Sequence, residues 1–308
     1  MLPITIPFMQ SKKYYIAALS AFILWGFFSL ALKPIKHIAP LDILFYRVFS
    51  AAILITLINL LFRRKQVKHN IELFKGLNPS EKKSTLGLTF LGGALLTFNW
   101  FIFIYVMNHV SIQAGSFGYL ICPIVTTILA FIILKERLNK WQQLSIGISV
   151  IACCILGYNS LKDIVFSLLI AATYATYLIS QRKNKVLDSF ISLNIQAIVM
   201  VVILAPFYPG YVGAVPTESI FYICLFFIVV FFTVIPLFLN LYSLSGVSSS
   251  TVGIMLYINP LINFALAIFY FNEAVTTPQL IGYSIIFCSV ILFNKQVLFP
   301  SQKLKTVQ

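Results

Sequence analysis

A gapless internal repeat runs through the apolar part of this chain. Residues 111–156 align with 248–293 at a constant spacing of 137 positions. Pro123 falls on Pro260, Glu136 on Glu273, Gln142 on Gln279, and Val110-Ser111 on Val247-Ser248. Tyr105 meets Tyr242 at the same spacing, whereas Leu41-Asp42 meets Leu187-Asp188 at 146. The basic segment 63–83 is longer than its counterpart 209–220, which accounts for the change in spacing. A fold compatible with this pattern has to build one supersecondary plan twice.

The medium in which it does so follows from composition. Hydrophobic residues are 60% of the 308 and charged residues 10%, with a mean hydropathy of +0.95. A soluble domain carries roughly 25% charged residues, so lipid solvates this chain. A helix needs about 20 apolar residues to cross a bilayer. Windows of that size fall at 14–32, 41–62, 84–107, 112–134, 141–157, 162–181, 188–206, 218–242, 249–271 and 278–298. The runs are continuous and lack the alternation of an outer-membrane barrel. The expected fold is therefore an all-α membrane protein of ten transmembrane helices. Two five-helix repeats divide it, 14–157 and 162–298.

The net charge of +14 resembles a nucleic-acid footprint until it is mapped. With the N-terminus inside, ten spans return the C-terminus to the same side. Eighteen of the 22 Lys and Arg then lie on the inner side. Lys33, Lys36 and Lys162 are in outer loops, and Arg47 lies within a span. This is the positive-inside asymmetry; it assigns a cytoplasmic location to both termini and no nucleic-acid partner. Arg63, Arg64, Lys65, Lys82 and Lys83 are placed to meet anionic inner-leaflet lipid. Five spans per half also invert the second repeat relative to the first, so Glu136 is expected inside and Glu273 outside. The inner loop carries Lys135, Arg137 and Lys140, and its outer counterpart carries no cation. Lys12-Lys13 with the following apolar run reads as a retained first helix rather than a cleaved signal. All five cysteines lie in spans without metal-ligand spacing, and neither a metal nor a cofactor is expected.

Pro123 and Pro260 stand mid-span, each about 13 residues before its paired glutamate. A proline lacks the N–H and frees the carbonyl one turn earlier, which in lipid needs a partner. Both read as kinks lining a cavity. Polar and aromatic residues recur at membrane depth: Trp25, Asn99, Trp100, Tyr105, Tyr119, Tyr174, Tyr177, Asn240, Tyr242, Tyr257, Asn259 and Asn263. An unpaired amide in hydrocarbon costs several kcal/mol, so these side chains are expected inside the bundle as substrate-cavity candidates. Arg47 is the one formal charge well within a span. Snorkelling or a carbonyl partner would satisfy it, and a charge-selective role toward a substrate carboxylate or phosphate is the sharper alternative. Glu136 and Glu273 read as helix-end caps beside positive dipole ends. No residue set suits an intramembrane enzyme, and no P-loop is present.

These residues also resemble a known family. Leu24-Trp25-Gly26, Asp42 through Arg47-Val48, Asn99-Trp100, Gly118-Tyr119 with Pro123, and Lys135-Glu136-Arg137 are similar to motifs of the drug/metabolite transporter superfamily. The match is to its EamA group and most to the RarD branch. The resemblance implies a five-plus-five inverted-repeat carrier in the bacterial inner membrane. It implies alternating access to a cavity lined by spans one, three, four, six, eight and nine. A small-molecule solute, an amino acid foremost, is the expected partner, and a homodimer is compatible. Alternatives are a nucleoside-derived metabolite such as S-adenosylmethionine, drug efflux, or a non-transporting scaffold or sensor. In the second half Tyr174-Ala175 stands where Trp-Gly would match span one, which questions a symmetric role for Trp25.

Overall fold

A computed structural model describes residues 8–110, 112–156, 161–211, 213–272 and 275–298, and among them only helices, turns and loops occur. The first span is α1 (Phe8–Gly26) continued by α2 (Phe28–Leu32) and a 3-10 turn at Lys33–Ile35, the turn holding Pro34 near its start. Then come α3 (Pro40–Phe62), the amphipathic α4 (Arg64–Gly76), α5 (Pro79–His109), α6 (Ile112–Leu134) and α7 (Lys140–Leu156). The second half has α8 (Leu161–Lys183), α9 (Ser189–Leu204) and the short α10 (Tyr208–Tyr211). Its eighth span is α11 (Ser219–Val229), a π segment (Val230–Val234) and α12 (Ile235–Leu244). The ninth divides into α13 (Ser249–Met255) and α14 (Ile258–Phe269), followed by α15 (Thr277–Phe293) and the terminal turn α16 (Lys295–Leu298). Eight helical stretches among the described residues are long and apolar enough to cross a membrane, and Lys140–Leu156 and Thr277–Phe293 are shorter apolar helices.

Helix starts are written in side chains. Asn78 and Glu81 form a reciprocal capping box at α5, with Pro79 at its first position, where a missing N–H costs nothing. Asp188 caps α9 through Phe190 N and Ile191 N while Arg63 grips it with two nitrogens, at 3.0 and 3.3 Å. The repeat is visible at the same scale. Among the described residues Lys135 and Asn272 are the two non-glycine residues with positive φ, 54° and 53°, and each directly precedes a paired glutamate. Four residues beyond each, Asn139 with Gln142 and Thr276 with Gln279 exchange the same two capping hydrogen bonds.

Without a hydrophobic drive between helices in lipid, close packing depends on small residues and hydrogen bonds. Gly118 lets α6 close on α8, since a Cβ there would lie 2.8 Å from Ile170 Cβ. Ser149 Oγ meets Ser289 Oγ at 3.0 Å, and Ser145 Oγ donates to Ser289 O at 2.7 Å, joining α7 to α15. α1 packs on α12 and α14, α5 on α8 and α9, and α13 on α6. The principal core cluster therefore draws side chains from both halves, among them Phe22, Phe45, Leu96, Tyr177, Ile228 and Leu241.

Candidate functional site

The eighth span supplies the central irregularity. Pro236 has no N–H to give the carbonyl four residues earlier, Phe232 O, and the π segment around it loosens the ladder further. Two side chains from other helices take up that oxygen. Trp25 Nε1 of α1 donates to it at 3.0 Å, and Arg47 Nη2 of α3 donates at 3.0 Å. Arg47 Nε also donates to Thr233 Oγ1 at 2.6 Å, and Thr233 donates in turn to Ile228 O. The guanidinium lies 4.0 Å from the Trp100 ring centroid and 5.1 Å from that of Phe28, a stacking that a planar cation favours. Arg47 is thus held by a carbonyl, a hydroxyl and two rings, while Asp42 Oδ1 accepts from Gly213 N. Phe232 itself, with Leu30, Ala31, Ile223, Cys224 and Phe227, lines an apolar recess of about 300 Å³.

Next to this joint lies a group of amides and tyrosines. Buried Asn99 donates to Ile170 O and Thr173 Oγ1, both at 2.9 Å, and accepts from Tyr119 Oη at 3.1 Å. Tyr174 makes edge contacts with Trp25 and Tyr119 at centroid distances of 6.5 and 6.3 Å, and packs on Tyr177 at 5.7 Å. Asn240 Nδ2 donates to Tyr174 Oη at 3.3 Å. Among the described residues Asn240 Oδ1 and Tyr177 Oη are buried without a hydrogen-bond partner, and a buried group in that position requires a donor or acceptor from water or a solute. α1, α5, α6, α8 and α12 all contribute, so the group spans both halves.

Other sequence candidates sit elsewhere. Tyr105 is 44% exposed and stacks on His109. Tyr242 lies against Tyr14 and Phe238, with Lys13 5.9 Å from its centroid. Tyr257 is fully buried in a separate cluster with Ile254 and Ile286. Asn263 Nδ2 donates to Asn259 Oδ1 at 2.7 Å, a pair internal to α14. The two prolines also differ. Pro123 is carried inside an unbroken α6, whereas the ninth span parts at Leu256-Tyr257, and Leu256 O, freed by Pro260, accepts from Asn259 N at 3.1 Å.

Glu136 is not spent on the helix that follows it. Its carboxylate accepts from Ser249 N at 2.8 Å, Ser250 N at 3.0 Å and Ser250 Oγ at 2.6 Å, so it caps α13 in the other half. Asn139 already caps α7, and the left-handed turn at Lys135 sends Glu136 away from it. Arg182, within electrostatic reach of Glu136, donates to Leu244 O at the end of α12. Burial and the neighbouring Arg182 lower the Lys185 ammonium's pKa below the usual lysine range, while Glu136 pulls it back up. Glu273 lies outside the described residues. Phe28, Thr173, Phe232 and Thr233 escaped the sequence reading; the four-residue rule applied to Pro236 was the one signal that pointed at Phe232.

The EamA-like transporter family matches this sequence twice, over residues 12–158 and 161–295. The chain belongs to that family. It is 28% identical to the uncharacterized transporter YojE of Bacillus subtilis over 92% of this chain and 94% of that one. It is 27% identical to protein RarD of Streptomyces exfoliatus, covering 92% and 88%, and 22% identical to protein RarD of Escherichia coli, covering 96% and 98%. One solved crystal structure superposes with a TM-score of 0.71 over 92% of this chain and 98% of that one, at 13% identity. Such a likeness bears on the fold alone, and the EamA-like fold here is a multi-pass membrane transporter fold.

Proposed function

We propose that this EamA-like protein is a secondary carrier or facilitator that moves amino acids across the bacterial inner membrane by alternating access. The termini and the basic segment 63–83 are cytoplasmic in this reading. The halves 14–157 and 162–298 are the two inverted units. The observation that carries it is the joint at Phe232: an irregular backbone ladder at membrane depth is tolerated where it borders protein or a cavity, and here the freed carbonyl meets Arg47 and Trp25, with the Arg47 guanidinium over the Trp100 ring. A carrier needs irregular spans with groups poised for a solute, and Arg47 supplies a fixed positive charge suited to a carboxylate. The family membership and the relatives named as transporters support the general class.

Solute counterflow in proteoliposomes tests it. Vesicles preloaded with an amino-acid mixture should transiently accumulate trace labelled amino acid, with no ion gradient imposed. Absence of accumulation by folded, inserted protein across all amino-acid classes would remove amino acids as the substrate and leave nucleoside-derived metabolites and drugs.

A further inference from the structure

The two parts of the ninth span differ in burial. Every residue of α13 is buried, and no residue of α14 is. Gly253 lies in α13 where a Cβ would be 2.9 Å from Thr126 Cβ and 2.8 Å from its Cγ2, so α6 and α13 are in backbone-close contact across the two halves. At the end of that contact Glu136 makes its three hydrogen bonds to Ser249 and Ser250. The same end holds Arg182 on Leu244 O, tying α8 to α12. A carboxylate on two helix N–H groups and a hydroxyl is a charge-assisted arrangement of the strong kind, favoured by the helix's positive end. Nothing comparable joins α6 to α14 among the described residues.

We propose that Glu136 is the latch of a cytoplasmic closure and that the protein is in the state shut toward the cytoplasm. The closure consists of the Glu136–Ser249/Ser250 bonds and the Thr126–Gly253 contact, and it must part for the central site to reach the inside. Glu136 acts here as a positioning residue; it touches no solute. The inference rests on the transport reading for its purpose, though not for its geometry. Alternation between states requires contacts made in one and absent from the other, and these bonds join the two repeats where such a contact has to be.

Two measurements test it. In a Cys122→Ser background, Thr126→Cys with Gly253→Cys places the two Cβ atoms 2.9 Å apart, so the helices need to part by about 0.6–0.9 Å to reach disulfide geometry. Oxidation should slow counterflow at least about ten-fold, with recovery on reduction and no change in the single-cysteine controls. Equal rates in the oxidised and reduced protein would mean that the contact never opens, and the latch would be wrong. The second arm needs no substrate. A cysteine placed by Val252→Cys, at a fully buried position of α13, should react slowly with an impermeant thiol reagent from the cytoplasmic side. Adding Glu136→Ala should raise that rate about ten-fold as the closed population falls. Glu136→Gln, which keeps one acceptor oxygen, should fall between. Unchanged labelling in Glu136→Ala would overturn the latch by itself. Absence of amino-acid counterflow in the wild type together with faster labelling would instead remove the amino-acid reading and leave the latch standing.

Discussion

Trp25 and Arg47 donate to one and the same oxygen, the carbonyl of Phe232, each at 3.0 Å. Neither residue is near the other in sequence, and neither is near Phe232. They meet because Pro236 deprives that carbonyl of its usual helical donor, and an unpaired carbonyl within lipid costs several kcal/mol. The proline thus creates the acceptor, and the acceptor fixes the arginine.

Restoring the missing donor is the most direct test of this dependence. Pro236→Ala supplies an N–H to Phe232 O and favours continuous α-helix. Arg47 and Trp25 would then lose their shared acceptor. Counterflow should fall by about ten-fold, equivalent to roughly 1.4 kcal/mol, while the protein still inserts. Indole fluorescence of Trp25 should change in parallel. Normal transport with altered fluorescence would show that the joint is not part of the carrier cycle.

Arg47→Gln should weaken anionic and zwitterionic solutes more than cationic ones. Arg47→Lys should not restore the wild-type pattern, because an ammonium cannot reproduce the planar contact with Trp100 or the paired donation to Thr233 and Phe232. Competition for labelled amino acid by analogues of differing charge reads both effects. Equal losses across charge classes would leave Arg47 with the structural role alone.

Asn99→Leu removes two donated bonds and one accepted bond at a fully buried position. Tyr119 Oη then loses its partner, a loss worth roughly 1–3 kcal/mol. Detergent-solubilised protein should unfold at a lower temperature, and Tyr119→Phe in the same chain should recover part of the deficit. Additive rather than compensating losses would show that the Tyr119–Asn99 bond has no energetic weight.

Pro123→Ala and Pro260→Ala should each reduce transport with insertion intact, and unequally. α6 is already continuous through Pro123, whereas the ninth span is parted just before Pro260. The larger loss belongs to Pro260→Ala, which gives Leu256 O a helical donor and draws α13 and α14 toward one rod. Steady-state initial rates normalised to inserted protein decide this. Normal rates in both variants would dismiss the prolines as elements of the mechanism.

What the sequence determined by itself is what local chemistry and lipid dictate. The apolar windows, the caps at Asn78 and Asp188 and the matched turns at Lys135 and Asn272 depend on residues within a few positions of one another, and so does the proline rule. Polar, aromatic and charged side chains within apolar windows also brought out the candidate set, including Trp25, Arg47, Asn99 and Asn240. Tertiary structure decided their company. Asn99 and Tyr119 meet across α5 and α6, whereas Tyr105 and Tyr242, matched in the repeat, face exposed ground and Tyr14. Period and hydropathy could not separate these cases, because in lipid every face of a helix is apolar and the polar-outside rule that orients soluble helices is missing. Glu136 makes the point most sharply. Its sequence neighbours offered α7 as the helix to cap, but the left-handed turn at Lys135 and the packing of α6 on α13 delivered it to the other half. Contacts between segments more than a hundred residues apart are set by how helices pack, and no local pattern encodes that.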